Sequence, residues 1–166
     1  NISTYYNGNQ NLEIDFRRFS FAETKHLNRL IDYSHFKENK ERLQKLFIEE
    51  NNPLSIYNNI MDNGYIKIND TTSSVYKAII TDFKGNETNL DIAIKGENKL
   101  PNDSKEEIIT QHYIQHDLEA ELEEEKFKVN FYKDTFYDSF FIDFSVNNDT
   151  LTLHKPTIPL RKSFTI

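Results

Sequence analysis

Cysteine and tryptophan are both missing from these 166 residues. Without thiols there are no disulfides, no thiolate zinc sites and no cysteine nucleophile, although the compartment stays open because many proteins of oxidising compartments also lack cysteine. No apolar run approaches the ~20 residues that a membrane-spanning helix needs, and the opening NISTYYNGNQ holds neither the charged n-region nor the apolar h-region of a secretory leader. Basic residues are outnumbered, 20 Lys plus Arg against 27 Asp plus Glu, and the net charge of -7 opposes counterion-release binding to nucleic acid and gives no attraction to anionic lipid. Neither a nucleic-acid partner nor membrane insertion is expected. Missing too are a glycine-rich phosphate loop, a G-x-S-x-G elbow and a kinase-type set.

Large apolar side chains, in contrast, are plentiful. Thirteen Phe and nine Tyr, 13% of the chain with no Trp, favour β-rich packing over disorder. The length suits one medium domain or two small ones, and a division into pieces of about 90 and 60 residues leaves each a modest core. Residues 2–6 (ISTYY) and 12–19 (LEIDFRRF) flank NGNQ, where Asn7-Gly8 suits the positive φ of a hairpin turn and Leu12, Ile14 and Phe16 alternate with polar residues. At Ser20 the period changes. Ser20-Phe21-Ala22-Glu23 fits a capping box, and Leu27, Leu30 and Ile31 follow at helical spacing. Asp32 or Ser34 caps a second helix expected to run through KENKERLQKLF, Asn51-Asn52-Pro53 ends it, SIYNNI adds a turn, and Asn63-Gly64 breaks the pattern.

Strands resume with YIKIN, SVYKAIITDF and TNLDIAIKG, the last two joined by the turn Lys84-Gly85-Asn86. GENKLPNDSKEE has the polar, Gly- and Pro-containing composition of a linker. Beyond it KFKVNFY, FFIDFSV, TLTLHK and PLRKSFTI read as further strands. The expected class is mainly β with a helical insertion (α+β): a sandwich-like domain over 1–96 with its insertion at about 20–63, a linker at 97–107, and a second, truncated β domain over 108–166. A start midway into a strand reads as that of a fragment from a longer protein.

Candidate chemistry is sparse. FSFAETKHLNRLIDY, residues 19–33, gathers Glu23, His26, Asp32 and Tyr33, but the Glu23/His26 pair lacks a nucleophile, and capping at a strand-to-helix junction explains it better than catalysis. HYIQHD sets His112 and His116 at i, i+4, the spacing of a zinc helix. Tyr113 stands where such a helix carries its general base, however, and a strand reading separates the two histidines by about 13 Å. A solvent-facing pair is therefore preferred to a metal site. His26, His35 and His154 are solitary and read as satisfied or exposed. The acidic run DLEAELEEE lacks the turn residues of a calcium loop and reads as a solvated stretch, while the aromatic residues read as core rather than as a sugar-stacking platform. No catalytic, cofactor-binding or metal-binding residue is assigned.

FSFAETKHLNRLIDY, NNPLSIYNNIMDNG and TDFKGN, in this order, resemble the β domain that follows the catalytic domain in bacterial lysostaphin-type zinc metalloendopeptidases, the peptidoglycan-hydrolase peptidase family. FYKDTFYDSFFIDF with TIPLRKSFTI resembles, more weakly, the start of the next immunoglobulin-like domain of the same proteins. The resemblance implies immunoglobulin-like β-sandwich architecture, an extracytoplasmic location in the periplasm or cell envelope, and a peptidase domain in the same polypeptide as partner, with peptidoglycan as a further contact. It also implies zinc held by an H-x-x-x-D pair and an H-x-H motif, but neither motif occurs in this chain, where His116 stands at the position H-x-x-x-D assigns to Asp. Zinc is thus expected only in a catalytic domain outside this sequence. The implied function is a non-catalytic accessory or interaction region that positions or regulates the peptidase, and the alternative is an autonomous cell-wall or peptide-binding module.

Overall fold

A computed structural model of the chain describes residues 1–17, 20–98 and 109–166. Two compact units result: one takes in Asn1–Thr24, Lys45–Glu49 and the chain from Pro53 through the last strand of the N-terminal half, the other Lys25–Gln44, Glu50–Asn52 and the C-terminal strands. The chain thus changes unit inside the segment expected to be one helical insertion of the first domain. Most of the expected linker, 97–107, lies outside the described residues.

In the first unit β1 (Ile2–Tyr6), β2 (Asn9–Ile14), β3 (Tyr57–Asn58), β4 (Ser73–Thr81) and β5 (Glu87–Lys95) form one antiparallel sheet in the order β3-β2-β1-β4-β5. Asn7 (φ 48°) and Gly8 (φ 81°) make the expected hairpin turn, and both residues take the left-handed backbone it needs. Alternation decides which face is inside. Leu12 pairs with Thr4 and Thr4 with Ala78, and this row is buried, as are Ile14, Leu54 and Ile56 of the same unit. Gly64 is required by geometry: its φ is 84°, and a Cβ there would lie 2.8 Å from the Leu46 carbonyl oxygen. Its own carbonyl accepts a 2.7 Å hydrogen bond from buried Asn11, which ties the chain break at Asn63-Gly64 to the sheet.

The second unit contains a 3-10 helix spanning Phe21–Leu30, of which residues from Lys25 onward belong here, and α1 (Tyr33–Asn39). Asp32 caps α1 by accepting from the His35 N–H at 3.0 Å. The helix then stops well short of Phe47, because Lys40 turns left-handed (φ 64°) and the Leu43 carbonyl returns to accept from Asp32 N–H. Six strands follow: β6 (His112–Ile114), β7 (Ala120–Glu124), β8 (Phe127–Phe131), β9 (Phe140–Ile142), β10 (Phe144–Asn147) and β11 (Thr150–Leu153). They pair as three two-stranded ladders, β6 with β9, β7 with β8, β10 with β11. Ile114, Leu122, Val129, Phe131, Phe136 and Ile142 form their common core.

The chain is therefore mainly β and antiparallel, with little helix. Four local expectations change. YIKIN is not a strand, SIYNNI contributes β3 rather than a helical turn, PLRKSFTI joins only through the single bridges Phe136↔Leu160 and Asn130↔Thr165, and the acidic run contains β7. In β7 Ala120 and Leu122 face inward between glutamates, and Glu121 pairs with Lys128 across the ladder at 2.8 Å, so cross-strand pairing overrides the charge density.

Candidate functional site

Glu23, the acid of the opening stretch, is engaged locally. One carboxylate oxygen accepts from Ser20 N–H at 2.7 Å, the expected return half of a capping box, while Ser55 N–H donates to the other at 2.6 Å. Ser20 Oγ accepts from Ala22 N–H at 3.3 Å instead of from Glu23.

His26 is buried in the second unit, and its Nδ1 lies 2.5 Å from the hydroxyl of Tyr137, whose ring meets the imidazole edge-on. Burial pushes the Tyr137 phenol above its ordinary pKa, so it stays protonated at any physiological pH. Three residues on, Arg29 is also buried, with its guanidinium 4.8 Å from the centre of the Tyr137 ring. Arg29 donates two hydrogen bonds to Asp138 (2.5 and 3.2 Å) and one to the Glu50 carbonyl (2.8 Å). The i, i+3 spacing of His26 and Arg29 suits this arrangement, because positions three apart eclipse on a 3-10 helix and both side chains reach consecutive residues of one turn, Tyr137-Asp138.

A second polar group adjoins it. Asn51 donates through Nδ2 to the Tyr137 carbonyl at 3.0 Å, which fixes the amide's orientation, and the same nitrogen lies 3.4 Å from His116 Nε2. Ser139 Oγ accepts from the backbone N–H of His116 at 3.1 Å and sits 3.1 Å from His116 Nδ1. The set Asn51, His116, Ser139 has the residue types of a hydrolytic triad, but Asn51 turns its N–H, not its carbonyl oxygen, toward the far ring nitrogen of His116, so it does not accept from the imidazole as the third member of a triad does.

His112, on β6, packs edge-on against Phe144, and His116 lies past the end of that strand, so the two histidines serve different neighbours. Among the described residues no group of three or more His, Asp or Glu side chains is arranged to hold a metal ion. His35 contacts Glu41 at 3.2 Å on the surface. His154, with φ 47°, accepts from Asp143 N–H at 3.2 Å, and burial holds its imidazole below the usual histidine pKa. It stands beside an apolar cavity of about 130 Å³ whose walls include Phe131, Phe136, Phe140, Ile142 and Leu153.

Glu23 and His26 thus contact different partners, Ser20 and Ser55 for the one and Tyr137 for the other, and the sequence singled out none of Arg29, Tyr137 and Asp138. A cation beside Leu27 and Leu30, three residues after His26, was the available signal, since a buried arginine needs an anion. Compared with known proteins, the chain matches no family model, no curated protein and no solved structure. No helix among the described residues is long and apolar enough to cross a membrane.

Proposed function

We propose that this chain is a non-catalytic interaction module whose polar side chains hold its own architecture together. The supporting observation is the engagement of the chemically capable groups: Glu23 by Ser20 and Ser55, His26 by Tyr137, Arg29 by Asp138 and Glu50, and His116 by Asn51 and Ser139. A general base needs a lone pair directed at substrate and a nucleophile needs a base to receive its proton, and these contacts direct the relevant atoms at neighbours instead. The resemblance noted in the sequence supplies the rest of the proposal: immunoglobulin-like architecture, attachment to a lysostaphin-type zinc peptidase, and an extracytoplasmic setting. In that role the module positions or regulates the catalytic domain. Its zinc would belong to that domain.

One observation favours the second reading, an autonomous cell-wall or peptide-binding module: the cavity bounded by Phe131, Phe136 and Phe140 has the concave, aromatic character of a ligand site. Co-sedimentation of the purified chain with peptidoglycan, beside activity assays of a lysostaphin-type peptidase with and without the chain attached, separates the two. Altered peptidase activity with weak sedimentation supports the accessory role. Saturable sedimentation with unchanged peptidase activity replaces it with the binding module.

A further inference from the structure

The row Leu12, Thr4, Ala78 and Leu90 runs straight across the first unit's sheet, and its exposure climbs from 0%, 0% and 3% to 50% at the last member. The inner face thus continues, uncovered, onto β5, where Leu90 and Ile92 sit in the open beside Ile80. β5 is also the end of the sheet order, nine residues long, with no bulge in its register to β4. Gly96 N–H donates to Thr72 and the Asn86 carbonyl accepts from Asp82, so even-numbered residues direct their backbone toward β4. Alternation sends the N–H and C=O of Glu87, Asn89, Asp91, Ala93 and Lys95 outward, and among the described residues no strand pairs with them. Natural sheets blunt long open edges with prolines, bulges or charged side chains, and β5 has no proline and no bulge, its one central charge being Asp91.

What β5 has is self-complementarity. We infer that this edge pairs antiparallel with β5 of a second copy of the chain, about a two-fold axis at Asp91, joining two sheets into one. In that register Glu87 stands opposite Lys95 of the second copy and Lys95 opposite its Glu87, while on the other face Leu90 meets Ile92 and Thr88 meets Ile94, twice each by symmetry. All five outward residues find hydrogen-bonding partners. Sliding the pairing by two residues keeps the faces in phase but sets Glu87 against Ala93 or Lys95 against Asn89, losing both ion pairs. The one like-charge meeting, Asp91 with its symmetry mate, is flanked on each side by Lys77, 4.0 Å from Asp91 across β4. Along that row the order is plus, minus, minus, plus, so each carboxylate of the central pair keeps a cation on its other side.

Sedimentation velocity on the full chain tests this, supported by hydrogen exchange at Asn89, Asp91 and Ala93. The account expects a concentration-dependent species of twice the 19.7 kDa chain mass, with those amides protected in it. Glu87→Lys and Lys95→Glu should each weaken dimerisation about tenfold or more, and the double variant should restore it. Ala93→Pro should abolish it while leaving the circular dichroism of the monomer unchanged, because the lost N–H points away from β4. A chain that stays monomeric at every concentration, or a dimer indifferent to both Lys95→Glu and Ala93→Pro, overturns the inference.

Discussion

Replacing Asp138 by Asn removes a charge and almost nothing else, so it measures what the carboxylate does for Arg29. The guanidinium is 4% exposed and the carboxylate 55%, which makes the two partners unequal. When the anion is lost, the cation keeps the Glu50 carbonyl and the Tyr137 ring but stays trapped away from water. Breaking a fully sealed pair costs about 3–5 kcal/mol. Water reaches Asp138 and screens the interaction, so the expectation falls to about 1.5–3 kcal/mol, the worth of hydrogen bonds to a charged group. Arg29→Met should be milder than Asp138→Asn, since the abandoned carboxylate can hydrate and the thioether fills the space. Urea unfolding of the second unit, followed by near-ultraviolet circular dichroism of its tyrosines, gives both values. An Asp138→Asn protein within about 0.5 kcal/mol of wild type, the range of an ordinary surface substitution, would refute the reasoning.

Tyr137→Phe deletes the hydroxyl that serves buried His26 and should cost about 1–3 kcal/mol in the same measurement. Gly64→Ala meets both a left-handed backbone and the Leu46 carbonyl, and a loss of about 1–3 kcal/mol should appear in thermal unfolding of the first unit. Asp15 is held at about 2, chiefly by the hydrogen bonds from the Arg17 side chain, against an ordinary 3.8. Because its folded pKa is depressed, its contribution to stability is complete above 3.8 and disappears as pH falls through 2. A carboxyl NMR titration should therefore find the Asp15 midpoint near 2 and, in Arg17→Ala, a return toward 3.8.

The elements legible in the sequence are those whose signal is local. Asn7-Gly8 and Gly85 announce hairpins because positive φ selects Asn and Gly, and alternation in β4 and β5 survives because each strand keeps one apolar face. Where tertiary contacts decide, reading failed. Phe36, Leu43, Leu46 and Phe47 have helical spacing, yet Phe47 packs against Tyr65 while Leu43 is half exposed, and the helix ends at Asn39. β3 is two residues long and exists only because β2 offers an edge, and β7 is hidden by glutamates that its partner strand neutralises. The buried cluster was illegible for the same reason: Arg29 and Asp138 are 109 positions apart. Only His26's role as a satisfied histidine was open to inference, and its partner was not.

The central claim is that the acid, base and hydroxyl groups of this chain serve its architecture. Its most direct test is release of soluble fragments from purified peptidoglycan by the full chain with zinc supplied, alongside a Ser139→Ala variant that retains native circular dichroism. The account predicts no release by either protein. Hydrolysis by the wild type that disappears in the folded Ser139→Ala variant would contradict it.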